Sequence, residues 1–186
     1  APPTSTSTPV SGGGNAPTSA GCVGSAPSAG SWTCENGAWT SLGSVTGGTV
    51  TVPPSLIVVK GNLTISGNVV FSGLGSSISV EGGCTTIQGS LQVDLTSRDL
   101  EKISKEPGSS RTISLLSQNS SCASLSSIAV TARNTQKSCR KLDSTTTQDQ
   151  IDGEKTTLAA AFKVSSAPCQ TKWIILGCVL GAVLLL

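Results

Sequence analysis

Ten carboxylates, seven cysteines and three tryptophans hold most of the chemistry open to this 186-residue chain, which has no histidine and no tyrosine. Without imidazole, histidine-based general acid–base catalysis and Ser-His-Asp or Cys-His nucleophiles are excluded. Carboxylate-only chemistry, such as glycoside hydrolysis between an acid and a base, stays open. Its raw material is thin. Glu81 and Asp94 are the acidic residues near the apolar-patterned part of the chain, and they stand thirteen apart. Apart from Glu35, which lies between the two tryptophans Trp32 and Trp39, the others, Asp99, Glu101, Glu106, Asp143, Asp149, Asp152 and Glu154, fall in polar, loop-like sequence. The cluster Asp149, Asp152 and Glu154 lacks the ligand spacing of a calcium loop and reads as a solvated acidic turn. No catalytic, metal-binding or cofactor-binding residue is assigned.

Cysteine usage points to an oxidising compartment. Setting aside Cys178, which lies in an apolar run, leaves Cys22, Cys34, Cys84, Cys122, Cys139 and Cys169, an even set of six. None are spaced Cys-x-x-Cys, and the absence of histidine removes support for a structural zinc site. The set therefore reads as three disulfides of open connectivity. Asn62 and Asn119 each begin an Asn-x-Ser/Thr sequon, consistent with surface glycosylation.

The tryptophans come next. Trp32 and Trp39 flank Asn36-Gly37, a strong two-residue hairpin signal. Pairing outward from that turn sets Cys34 opposite Trp39 and Trp32 opposite Ser41, all on one face. The bland reading is a disulfide-and-tryptophan knot, closed by the short Cys22–Cys34 loop. The functional one is an aromatic surface on which a sugar ring stacks, with Trp32 and Trp39 as ligand-stacking candidates.

The elements that must position these groups are mostly β. The stretch Gly-Asn-Leu-Thr-Ile-Ser from Gly61 is followed at once by Gly-Asn-Val-Val-Phe-Ser from Gly67, with a looser copy from Gly89 to Asp94. As a hairpin, this repeat would send Leu63/Ile65 and Val69/Phe71 to opposite faces. As successive sides of a β-solenoid, it turns both pairs inward and buries more apolar surface. The expected fold is a short β-solenoid-like ectodomain with disulfides, or alternatively a β-sandwich. Residues 1–20 read as a disordered Pro/Ser/Thr/Gly-rich linker, 21–96 as the β-rich repeat region and 97–172 as a Cys-bearing β segment. No soluble amphipathic helix is expected. The best helical candidate is Leu158–Phe162, but Phe162-Lys163-Val164 reads equally well as a strand.

Residues 173–186 carry no charge and no proline behind Lys172. As a helix they would cover about 21 Å of a hydrocarbon core about 30 Å thick. They read as a transmembrane helix cut short by the end of the sequence. The alternative is a GPI signal, with Ala159–Ala161 as the small-residue site. That reading would remove Cys169 and leave an odd cysteine count. Trp173 beside Lys172 suits the membrane–water boundary. Gly177 and Gly181 form a small-xxx-small pair through which two helices could dimerise.

Charge is uneven along the chain. Residues 1–97 hold one lysine against three acidic residues, a net of −2, and residues 98–172 hold eleven basic against seven acidic, a net of +4. The basic groups are scattered and five aromatics make a poor stacking platform, so no nucleic acid partner is expected.

A resemblance covers roughly residues 21–186. Trp-Thr-Cys-Glu-Asn-Gly-Ala-Trp-Thr from Trp32, the Gly-Asn repeat, the Gly-Gly-Cys stretch from Gly82, Asn-Ser-Ser-Cys from Asn119 and Lys-Ser-Cys-Arg from Lys137 follow in order. This order resembles poorly characterised single-pass surface ectodomains of unicellular eukaryotes that carry a short β-solenoid-like region. The resemblance implies a cell-surface location and supplies no ligand or catalytic residue. The combined expectation is a non-enzymatic plasma-membrane protein with an extracellular ectodomain for adhesion, recognition or surface coat. Its partners would be the lipid bilayer and a surface glycan or protein ligand. The alternatives are a surface glycan-active β-helix enzyme using carboxylates and a GPI-anchored wall protein.

Overall fold

The computed structural model of the chain describes residues 21–165. The expected linker 1–20 and the apolar tail, with Cys169, Gly177, Cys178 and Gly181, lie outside the described residues.

Strands β1 (Thr33–Glu35) and β2 (Ala38–Ser41) form the expected antiparallel hairpin, with Cys34 opposite Trp39. Asn36 and Gly37 both take positive φ, 51° and 81°, as the tight primed turn between right-twisted strands requires. From here the chain coils, three short strands to a turn. The first turn is completed by β3 (Val45–Gly47) and β4 (Val50–Val52). The second is β5 (Leu56–Val59), β6 (Leu63–Ile65) and β7 (Val69–Phe71). The third is β8 (Ser77–Val80), β9 (Thr85–Ile87) and β10 (Leu91–Leu95).

Each strand pairs in parallel with its counterpart one turn later. The resulting sheets run β2-β5-β8, β3-β6-β9 and β4-β7-β10. The two copies of the repeat, in β6 and β7, therefore sit in different sheets rather than in one hairpin. Leu63, Ile65, Val69 and Phe71 all turn inward, none more than 3 % exposed. Alternation along each strand does this work, because inward residues recur at every second position.

The Gly-Asn corners explain the repeat's punctuation. A Cβ on Gly82 would lie 1.6 Å from the Lys60 carbonyl oxygen, and one on Gly89 would lie 2.2 Å from that of Gly67. Consecutive turns touch backbone to backbone at these corners. Asparagine then stitches them together: Asn62 Oδ1 accepts the Cys84 N–H at 2.9 Å, and Asn68 Oδ1 accepts the Ser90 N–H at 3.0 Å.

After β10 the polar segment departs from its expected all-β character. Helix α1 (Ser97–Ser104) is set by a capping box, in which Thr96 Oγ1 accepts the Asp99 N–H while the Asp99 carboxylate accepts the Thr96 N–H. Leu100 and Ile103, three apart, are fully buried. Strand β11 (Ser110–Asn119) then rejoins the first sheet parallel to β8, and β12 (Val130–Asn134) extends the third beside β10. A long antiparallel hairpin, β13 (Leu142–Asp152) and β14 (Lys155–Val164), completes the first sheet by laying β14 against β11. The Leu158–Phe162 stretch is thus a strand, paired on both sides.

One hydrophobic cluster runs from Val45 in the first turn through Leu100 and Ile103 to Leu158, Phe162 and Val164. Ala29 and Trp32 pack on it at the β3 side. At the last turn, buried Gln118 ties β9 to the loop after β11. Its Oε1 accepts the Thr85 N–H at 2.8 Å and its Nε2 donates to the Ala123 carbonyl at 2.7 Å.

Candidate functional site

The β1–β2 hairpin and the corner beyond β2 enclose a cleft of about 530 Å³. Trp32 is its one aromatic side chain, and the hydroxyl-bearing residues Ser31, Thr33, Thr40, Ser41, Ser44 and Thr46 line its wall. The ring is half-buried against the core, and its Nε1 donates to the Ala29 carbonyl, which fixes its orientation. Leu42 stands on the rim, 75 % exposed. No ionisable side chain lines the cleft, so it offers an aromatic surface and neutral hydrogen-bonding groups. Such a lining suits an uncharged polyol better than an ion, and its volume falls within the usual range for small-ligand sites.

Trp39 does not line this cleft. It is half-buried opposite Cys34, with Nε1 buried and unpartnered. The two expected stacking residues are therefore not brought into one cavity. Ser44 and Thr46, which do share the cavity with Trp32, carried no sequence signal, because they reach it through the coil rather than through the hairpin.

Two disulfides stiffen the frame. Cys22–Cys34 locks the entering chain to β1, and Cys84–Cys122 ties the third turn to the loop after β11. Cys139 is also disulfide-bonded, whereas Cys169 lies outside the described residues. Disulfides point to an oxidising, extracellular or secretory compartment. Both sequon asparagines are exposed. Asn62 sits at a coil corner, and Asn119 ends β11 with its Oδ1 accepting the Ser121 N–H at 2.9 Å.

Four of the ten carboxylates, Glu81, Asp94, Glu101 and Glu106, are ion-paired among the described residues. Asp94 accepts two bonds from the Arg133 guanidinium, at 2.7 and 2.8 Å, and one from Gln92 at 2.7 Å. The Arg133 hydrogen bonds hold its carboxyl below the usual range, against a smaller opposing effect of burial. Glu81 is ion-paired with Lys60, and it shares a cleft of about 230 Å³ with Glu154, Asn119 and Lys155. Asp149 and Asp152 lie on strand β13 rather than in the expected solvated turn; Asp149 Oδ2 accepts from Ser124 Oγ at 2.7 Å, and its Oδ1 is buried without a partner. Among the described residues no group of three or more Cys, Asp and Glu is placed to hold a metal ion. No helix among them is long and apolar enough to cross a membrane.

The fold and site define a mostly β protein of short parallel strands with disulfides. Neither a protein-family model, nor a curated protein, nor a solved structure matches the chain.

Proposed function

We propose that this chain is the extracellular ectodomain of a membrane-anchored surface protein, non-enzymatic, acting in recognition of a neutral glycan. The observation that carries the reading is the Trp32 cleft: an oriented indole ring among hydroxyl-bearing residues, with no acid or base to perform chemistry on what it holds. Supporting it are the disulfide frame, two exposed sequons and the uncharged segment 173–186, which supplies the anchor in the plasma membrane. The resemblance to single-pass surface ectodomains points the same way. A coil built on backbone-to-backbone corners is stiff, so it presents the cleft with little ordering cost on binding.

The test is a screen of uncharged glycans against the full chain, with Trp32→Ala and Trp39→Ala beside it. Trp32→Ala is expected to lose binding by about tenfold or more while staying folded at the assay temperature by circular dichroism, although its melting temperature falls because the ring packs on the core. Trp39→Ala, outside the cleft, is expected to retain binding. Failure of the wild type to bind any neutral glycan, or equal loss in both variants, overturns the assignment of the ligand to Trp32. Surface biotinylation of cells expressing the full chain reads the location separately.

A further inference from the structure

A second cleft, of about 480 Å³, lies at the other end of the coil, between α1 and the loop from β12 to β13. Arg98, Lys102 and Lys137 line it, together with Glu101. The carboxylate does not neutralise the three cations, because Glu101 pairs with Lys105 at 3.3 Å. Ion pairs elsewhere among the described residues engage Lys60, Arg111 and Arg133, and none involves Arg98, Lys102 or Lys137.

This arrangement works against the stability of α1. Arg98 and Lys102 are four apart on one exposed helical face, where like charges repel. Arg98 also lies in the first turn, at the end of the helix dipole that disfavours a cation. A third cation is then added from a distant part of the chain. The Ser97 N–H and Oγ both donate to Gln136 Oε1, at 3.3 and 2.9 Å, and this tether sets Lys137 beside the helix. Just beyond it, Cys139 is disulfide-bonded and the Arg140 guanidinium donates to the Ser165 carbonyl at 3.1 Å. The loop is thus fastened on both sides of the charge it carries.

We infer that this cleft binds the sulfate groups of an anionic glycan. A guanidinium offers paired donors in the plane an oxyanion presents, and two flanking ammonium groups add charge without fixing geometry. An extracellular setting favours a glycan over a membrane surface, since anionic lipid is concentrated in the cytoplasmic leaflet. The choice of ligand rests on the location proposed above, but the site is separate from the Trp32 cleft and uses opposite chemistry.

The full chain, in mild detergent, is passed over immobilised heparin and over the same polymer chemically desulfated and N-acetylated. Retention on the sulfated polymer is expected, with release as salt rises from about 0.05 M to about 0.5 M because exposed charges are screened. Arg98→Gln/Lys102→Gln/Lys137→Gln is expected to bind about tenfold more weakly or worse. Lys155→Gln/Lys163→Gln, which removes charge outside the cleft, is expected to stay within about twofold. Circular dichroism and melting curves check that both variants fold. No retention of the wild type, equal retention on the desulfated polymer, or equal loss in both variants overturns the proposal. So does tighter binding to phosphatidylserine vesicles than to heparin, with the same cleft dependence. The Trp32 test uses uncharged glycans, so either site can fail while the other stands.

Discussion

At the scale of single residues, two glycines with the same local sequence character have opposite consequences. Gly82 sits where the third turn crosses the second, and a methyl group there would collide with the Lys60 carbonyl. That carbonyl belongs to backbone held by the Lys60 N–H bond to the Ser41 carbonyl, so it cannot swing aside. Gly48 lies at a corner of the first turn with open space around its Cβ position. Gly82→Ala is expected to destabilise by about 3 kcal/mol, at the upper end of overpacking costs. Gly48→Ala is expected to stabilise by about 0.5 kcal/mol through the unfolded chain. Urea titrations of both variants check the contrast, and a near-neutral Gly82→Ala would mean that the corner is looser than its backbone contacts require. The sequence pattern showed where the turns lie, since Gly-Asn recurs at the start of successive strands. It could not rank the glycines, because the crowding comes from a neighbour about twenty residues away.

At the scale of elements, local pattern succeeded where local forces decide and failed where tertiary packing does. The β1–β2 hairpin was legible, with Cys34 opposite Trp39, because Asn36-Gly37 sets its own turn; Trp32, expected opposite Ser41, lies before β1. The inward alternation of β6 and β7 was legible too. Helix α1 was missed, although Thr96 and Asp99 form a capping box and Leu100 and Ile103 lie three apart. Eight residues are too few to hold a helix alone, and burial of those two side chains against the core supplies the rest. The alanine run of β14, the best helical candidate in the sequence, is a strand: its helical propensity is overridden by β11 and β13 pairing on its two sides. The two clefts were only half visible for the same reason. Trp32 announced itself, but Ser44, Thr46 and Lys137 are delivered by coiling and by a tether.

The disulfides carry the element-scale test. Cys84–Cys122 closes a loop of 38 residues and Cys22–Cys34 one of 12. On the chain-entropy account the longer loop contributes about 4 kcal/mol and the shorter about 3 kcal/mol. Replacing each pair by serine is therefore expected to cost more at Cys84–Cys122. Denaturant midpoints of the two double variants measure the order. The reverse order would show that native contacts around the hairpin, rather than unfolded-state entropy, set the value of Cys22–Cys34.

For the whole molecule, the question is whether a stack of turns behaves as independent layers. In a pure repeat array each layer touches only its neighbours, and a defect at one end leaves the far end undisturbed. Here the apolar cluster is continuous from Val45 to Val164, and β11 and β14 join the same sheet as β2, β5 and β8. With about three turns in the stack, no layer is far from the covering hairpin. Leu158, fully buried in β14, tests the coupling. Leu158→Ala is expected to cost about 2–5 kcal/mol. In a cooperative unit that cost appears in every amide that exchanges only through global opening, including those of β5, β6 and β7. Hydrogen exchange of the full chain in mild detergent, resolved by peptide, gives the answer. Acceleration confined to β13, β14 and β11 would mean that the hairpin is a separate cap and the turns stand without it. Acceleration shared by the second turn would mean that both clefts, one at each end, are held by a single folding unit.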